Sequence, residues 1–206
     1  EYAQAMAEGQ EKIYYVCGES ADRLSKLPQV QLLSDKGYDV LLFTDEVDEF
    51  VPQTLMTYAE KSFCNAATED LGLQSDEEKE SIKQKTEELQ SLLTFVKDSL
   101  PEEITEVRLS GELGDMPVCM VPAGGMSFEM EKYMKRMNPE FNFPSQRVLE
   151  LNPEHAAVKA MVAAMTSDPL KARDYAFLLM YQAQLMAELP LEDPVAYTAL
   201  VCKLMN

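Results

Sequence analysis

The chain has 206 residues, 46% of them hydrophobic, and carries 36 acidic against 18 basic side chains for a formal net charge of −18. That balance excludes non-specific binding to nucleic acid or to anionic membranes, because no basic stripe is present to displace counterions from phosphate. No stretch of eighteen uncharged apolar residues occurs, so no membrane-spanning helix is expected, and the length suits one large domain or two small ones.

The start, Glu1-Tyr-Ala-Gln-Ala-Met, has neither the basic end nor the apolar centre of a signal peptide. It lacks an initiator Met, which reads as a piece of something longer. The four cysteines, Cys17, Cys64, Cys119 and Cys202, are far apart, and His155 is the one histidine that could join them in a metal site. Reduced, mostly buried thiols in a cytoplasmic protein are expected.

Ile13 to Cys17 is a β-branched and aromatic run closed by Gly18, which predicts a strand. Ser20 then stands as the cap of a short helix through Leu27, and Pro28 fits the first turn of a second helix ending at Gly37. Asp39 to Phe43 is apolar after its first residue and predicts a strand covered on both faces. A turn from Asp45 leads into a helix around Pro52, and Ser62 to Ala66 predicts a third strand. Strand alternating with helix makes a small three-layer α/β unit. The turn Gly18-Glu-Ser-Ala-Asp lacks the glycine spacing and the Lys-Ser/Thr pair that hold phosphate, which counts against a flavodoxin-like nucleotide-binding enzyme. The acidic cluster Asp45, Glu46, Asp48 and Glu49 reads as a solvated turn, because nothing nearby is spaced to complete an octahedral metal shell.

Ser75 and Glu78 form a capping box at the head of an acidic helix that runs to Pro101, with Ile82, Leu89 and Val96 in one stripe. Charge density rises where the α/β layer ends, which places a domain boundary near residue 74. Beyond it, Ile104 to Leu109 and Pro117 to Val121 predict strands joined across Gly111 to Asp115, and Arg147 to Leu151 a third. Between them a helix follows Gly124 and Gly125. At about 100° per residue, Met126, Met130, Tyr133, Met134 and Met137 share one arc. Glu131, Lys132, Lys135 and Arg136 share the opposite arc with Phe128, which is therefore either exposed or tucked under a loop. A methionine stripe at helical spacing is ordinarily core, yet four methionines specify a core poorly and suit an adaptable binding surface.

His155 has no nucleophile or orienting partner, and Asn152-Pro-Glu-His reads as a strand-to-helix turn with Asn152 as the cap of a helix from Ala156 to Met165. The end of the chain, Leu170 to Asn206, reads as two helices broken at Leu189-Pro-Leu191, neither with a proper polar face. A helix pair on a surface needs one apolar stripe, so this pair has a second face to bury.

Glu8-Gly-Gln-Glu-Lys-Ile-Tyr-Tyr15, Lys36-Gly-Tyr-Asp-Val-Leu-Leu-Phe43, Asp45-Glu-Val-Asp-Glu-Phe50, Asp115-Met-Pro-Val-Cys119, Val148-Leu-Glu-Leu-Asn-Pro-Glu-His155 and Leu191-Glu-Asp-Pro194 stand in one constant order. Through these blocks the chain resembles the 90-kDa heat-shock chaperones, with the bacterial HtpG-type members the most similar. The resemblance implies that residues 1–74 end the chaperone's middle domain and that 75–206 are a mixed α/β dimerisation domain. It implies that the last helix pair of each protomer joins that of its twin in a four-helix bundle. Phe177, Leu178, Tyr181, Leu185, Leu200 and Leu204 are the candidates for that interface. It further implies that Met126, Phe128, Met130, Tyr133, Met134 and Met137 contribute to the binding of unfolded client proteins.

No catalytic, cofactor-binding or metal-binding residue is carried over. The family's ATP and magnesium site and its catalytic residues belong to segments outside these 206 residues, so the resemblance implies no enzyme activity here. The chain ends without the acidic tail that recruits helical-repeat cochaperones, so that partner is not expected. An oligomerisation or adaptor module without client binding is the alternative.

Overall fold

The computed structural model describes residues 2–45, 47–123, 126–138, 140 and 146–205. Glu46, Gly124, Gly125 and Asn206, all part of the sequence reading, lie outside them. The chain forms two compact units, an α+β arrangement with one sheet in each. The first comprises the chain up to Leu73 together with a helix at 128–137; the second begins at Gln74 and holds the remaining elements.

The first unit starts with a short helix α1 (Tyr2–Ala5) and the strand β1 (Lys12–Cys17). Helices α2 (Ala21–Leu24) and α3 (Pro28–Asp35), strand β2 (Val40–Phe43), helix α4 (Phe50–Leu55) and strands β3 (Thr57–Tyr58) and β4 (Lys61–Asn65) follow. The sheet order is β2-β1-β4-β3, with β1 parallel to both β2 and β4. The strand covered on both faces is β1, where Ile13, Tyr14, Tyr15 and Val16 are all buried. The sequence reading assigned that property to 39–43; β2 is instead an edge strand with all four residues half-buried. Continuous apolar character reports two covered faces only for a strand with neighbours on both sides.

Side chains of one parity on β1 meet the helices. Tyr14 packs with Leu33, Cys64 and Leu71, and its hydroxyl donates to the Leu71 carbonyl at 3.0 Å. Val16 packs with Leu24 and Val30. On the other parity Tyr15 meets Phe43 and Phe63, ring centroids 5.7 and 6.2 Å away. Ser20 precedes α2 as expected but makes no side-chain capping bond, and α2 stops at Leu24. Pro28 does open α3, where its missing N–H costs nothing.

β4 answers the strand expected at Ser62 to Ala66, but its hairpin partner β3 was not expected. The hairpin's two-residue turn, Ala59-Glu60, has both φ values positive (51° and 63°), the geometry that ordinarily draws Asn-Gly. With Ala and Glu there, the usual signal is missing.

In the second unit the capping box is present: the Ser75 hydroxyl accepts from the Glu78 amide, and the Glu78 carboxylate accepts from the Ser75 amide at 2.7 Å. The single helix expected to Pro101 is two, α5 (Asp76–Glu88) and α6 (Gln90–Ser99), divided at Leu89. α5 buries none of its side chains, whereas α6 buries Leu92, Leu93 and Val96. The division separates an exposed acidic segment from a packed apolar one.

Strands β5 (Ile104–Leu109) and β6 (Val118–Ala123), joined by the short connection expected, are not neighbours in the sheet. β7 (Gln146–Leu151) lies between them, parallel to β5 and antiparallel to β6. The helix at 128–137, which we number α7 (Phe128–Met137), is the excursion between β6 and β7 and belongs to the first unit. β7, the central strand, buries Val148, Leu149 and Leu151, while β5, at the edge, alternates with Ile104, Val107 and Leu109 inward.

Helices α8 (Ala156–Ser167), α9 (Pro169–Met186) and α10 (Pro194–Leu204) complete the unit. The cap of α8 is His155, not Asn152: its Nδ1 accepts from the Ala157 amide at 3.1 Å. Asn152 is spent on the turn before it. Its Oδ1 accepts from the Glu154 amide, and its Nδ2 donates to the carbonyls of Gly114 and Met116, fastening the β5–β6 loop. α9 ends in a two-bond C-terminal motif, with Leu189 N–H donating to Gln184 and Glu188 N–H to Leu185. Glu188 takes the left-handed position at φ 55° that glycine usually fills.

Candidate functional site

Helix α7 is built for a fixed position at its start. The Ser127 hydroxyl accepts from the Met130 amide at 3.0 Å and donates to Glu49 Oε1 at 2.8 Å. Glu129 and Glu131 occupy the first turn and Lys135 and Arg136 the last, each sign matched to the helix dipole. Lys132 pairs with Glu129 at 2.6 Å and Lys135 with Glu131 at 2.5 Å. Tyr133 meets the Phe50 ring edge-to-face, centroids 5.7 Å apart.

The helix buries Phe128 and Glu131, and of the two alternatives for Phe128 the structure takes the tucked one. Glu131, expected on a solvated arc, is 2% exposed, an exception made tolerable by its ion pair. Met126, Met130, Tyr133 and Met134 are half-buried, and Met137 is exposed. Thus the candidate residues do not share one environment: Phe128 is packed, Tyr133 stands against Phe50, and Met137 is open.

The terminal pair divides its apolar residues differently. α9 buries Ala172, Ala176, Leu179, Met180, Ala183 and Gln184, a stripe at spacings of three and four. Three alanines on that stripe allow a close approach to neighbouring elements. Phe177 and Tyr181 lie on the roughly opposite arc and are half-buried, and Leu185 beyond them is exposed. Leu178, between the arcs, is half-buried. α10 has no buried residue at all, although its sequence is mostly apolar. Leu200 and Leu204 are half-buried and Val195 is 78% exposed.

The two helices are joined by an ion pair between Lys203 and Asp174 at 2.5 Å and by Tyr181 against Tyr197, centroids 5.9 Å apart. Tyr181 also touches Phe177, over whose ring the Arg173 guanidinium sits at 5.5 Å. Between the helices runs an open groove of about 340 Å³ floored by Phe177, Tyr181, Ala196 and Leu200. The structure therefore brings three of the six interface candidates, Phe177, Tyr181 and Leu200, to one open groove.

Other polar groups have structural duties. Gly18 follows β1 because a Cβ there would stand 2.8 Å from a Leu24 methyl carbon, and its amide donates to the Phe43 carbonyl at 3.1 Å. Cys64 and Cys119 are buried, Cys17 is half-buried and Cys202 is exposed, and none of the four is joined in a disulfide. Glu154 receives Lys159 at 2.8 Å and also pairs with Lys85 of α5; these two contacts hold its carboxyl down at about 2. Among the described residues no three carboxylate, thiol or imidazole side chains converge to hold a metal ion, and no helix is long and apolar enough to cross a membrane.

One residue of consequence escaped the sequence reading. Glu49 was grouped with a solvated acidic turn, yet it is 5% exposed, and its Oε2 has no hydrogen-bond partner. Its position four residues into an acidic run carries no sign of burial. Only the fold, by laying α7 over it, makes it an interior carboxylate.

The chain matches the family described as Hsp90 protein over residues 1–206. It is 43% identical over 206 residues to the chaperone protein HtpG of Clostridium acetobutylicum, and 38% identical over 205 residues to that of Bacillus subtilis. The HtpG protein of Clostridium perfringens is 41% identical over 206 residues. Each match takes in the whole of this chain but 33% of the relative, so the chain spans about a third of the length of the curated relatives it matches. The chain belongs to the Hsp90 family, as a fragment of the bacterial HtpG type.

Proposed function

We propose that this chain provides a molecular chaperone with its homodimer contact and with part of its surface for unfolded client proteins. The observation that carries the first part is α10, an apolar helix with no buried residue beside an α9 whose packed face is turned the other way. A second copy of the same pair supplies matching apolar surface, and a two-fold arrangement requires no further partner. Such a contact needs to bury roughly 1,600 Å² in total for a standard stable interface. Light scattering on the purified chain at micromolar concentration tests it: the mass of a dimer is expected, and a monomer would overturn the reading.

The client surface rests on α7, whose half-open methionines form an adaptable apolar face. Photo-crosslinking from position 134 to a chemically unfolded protein should give adducts that a folded control does not. An adaptor without clients is the second reading, favoured by the burial of Phe128; absence of adducts would select it. ATP binding and hydrolysis belong, on this proposal, to parts of the chaperone outside these residues, and the chain itself turns over no nucleotide. Its place in the cytoplasm is part of the same proposal.

A further inference from the structure

Within the first unit, a cavity of about 160 Å³ lies between the end of β1, the start of α4 and the inner side of α7. Glu19, Asp45, Glu49 and Glu129 line it, against one basic residue, Arg136, on the exposed last turn of α7. The remaining wall includes Phe50 and Tyr133, set edge-to-face, and Met130.

Three observations narrow what this cavity would accept. First, Glu49 is 5% exposed with Oε1 bound by Ser127 and Oε2 unpartnered. It stands at the N-cap position of α4 but makes no capping bond, so its carboxylate is not occupied by its own helix. A buried carboxylate oxygen without a donor is costly, and the site gains by receiving one. Second, among the described residues the acidic groups do not converge as metal ligands do. Their charge is spread over the cavity wall, which suits a cation with a carbon body over a compact divalent ion. Third, the aromatic rings and the thioether give that carbon body an apolar surface, and ring faces attract ammonium groups.

Cys17 lies on the same wall. Burial pushes its thiol well up, and the neighbouring carboxylates of Glu49, Glu129 and Asp48 push it in the same direction.

We propose that this cavity is a binding site for an alkylammonium group, held by Glu49 and flanked by Phe50 and Tyr133. A lysine side chain of a polypeptide and a free polyamine present the same chemistry. The proposal shares Met130 and Tyr133 with the candidate client face but does not rest on that reading, since it is argued from Glu49 and the cavity lining.

The test is a titration of the 206-residue chain followed by amide NMR, with four probes. They are Nα-acetyl-lysine methylamide, its uncharged counterpart Nα-acetyl-norleucine methylamide, spermidine, and magnesium chloride. Saturable shifts centred on Gly18, Thr44 and Phe50 are expected with the lysine derivative or with spermidine, and which of the two binds more tightly identifies the source. The norleucine derivative and magnesium are expected to give none. Glu49→Gln should weaken the amine at least tenfold, about 1.4 kcal/mol. Should that variant unfold by circular dichroism, Glu129→Gln at the cavity wall is to be measured instead, with a loss of severalfold. Equal binding of the norleucine derivative, competition by magnesium, or amine binding unchanged in the folded variant would each overturn the proposal.

Discussion

Helix α7 and the terminal pair α9–α10 both carry more apolar surface than one packed stripe requires, and they resolve it in opposite ways. α7 spends polar contacts to hold itself in place: a Ser127–Glu49 hydrogen bond, a buried Glu131 and two intrahelical ion pairs. Its methionines stay half open. α9 is held by small residues, with Ala172, Ala176 and Ala183 fully buried and the large rings of Phe177 and Tyr181 left toward the groove. The difference teaches that residue size, as much as hydrophobicity, decides which arc of a helix faces its own domain. Close approach between backbones favours alanine inside, and large side chains are then available for another surface.

The sharpest way to break this comparison is at the inner stripe of α9. Leu179→Ala, at a site 2% exposed, should cost about 2–5 kcal/mol of unfolding free energy in urea. A loss within the range of ordinary surface substitutions would mean that the inner and outer arcs have been exchanged. On the outer arc, Leu200→Asp should leave the fold intact by circular dichroism while raising the dimer dissociation constant at least tenfold, about 1.4 kcal/mol. An unchanged mass at every dilution would remove Leu200 from any interface.

For α7 the corresponding change is Ser127→Ala, which deletes the cap and leaves Glu49 Oε1 without its donor. A loss of about 0.5–2 kcal/mol is expected. Hydrogen exchange should show it as faster exchange at the amides of residues 130–134 and no change in α9. If both helices loosen equally, the polar fastening of α7 is not local.

The smallest effect concerns Glu154, an exposed group in the α5 to α8 region. Its folded carboxyl sits at about 2 against an ordinary 4.5, so its contribution is complete above pH 4.5 and disappears as pH falls toward 2. Melting curves of the native chain and Glu154→Gln should therefore converge between those limits. A difference that persists below pH 2 would show that the variant acts through something other than the Lys159 and Lys85 pairs.

Local signals were legible wherever the physics is local. Ser75 with Glu78, Pro28 at a first helical turn and the break around Leu189-Pro-Leu191 follow from short-range hydrogen bonding and φ preference. The readings that failed depended on distant chain. Asn152 looked like a cap, but its side chain is taken by carbonyls of Gly114 and Met116, so His155 does the capping. β5 and β6 are close in sequence, and no local signal says that β7, from further along the chain, pairs with both. Of the candidate surfaces, the terminal helices were legible from their missing polar face, whereas the burial of Glu49 and Glu131 was not.

By itself, then, the sequence determined most of the elements, the local caps at Ser75 and Pro28, the surplus of apolar surface at the end of the chain and, through its ordered blocks, the family. Tertiary structure decided which arc of each helix is packed, which strand is central, and which carboxylates are interior. The reason is physical: periodicity records that a face is apolar, but whether a neighbour comes close enough to cover it depends on residues brought together from elsewhere in the chain.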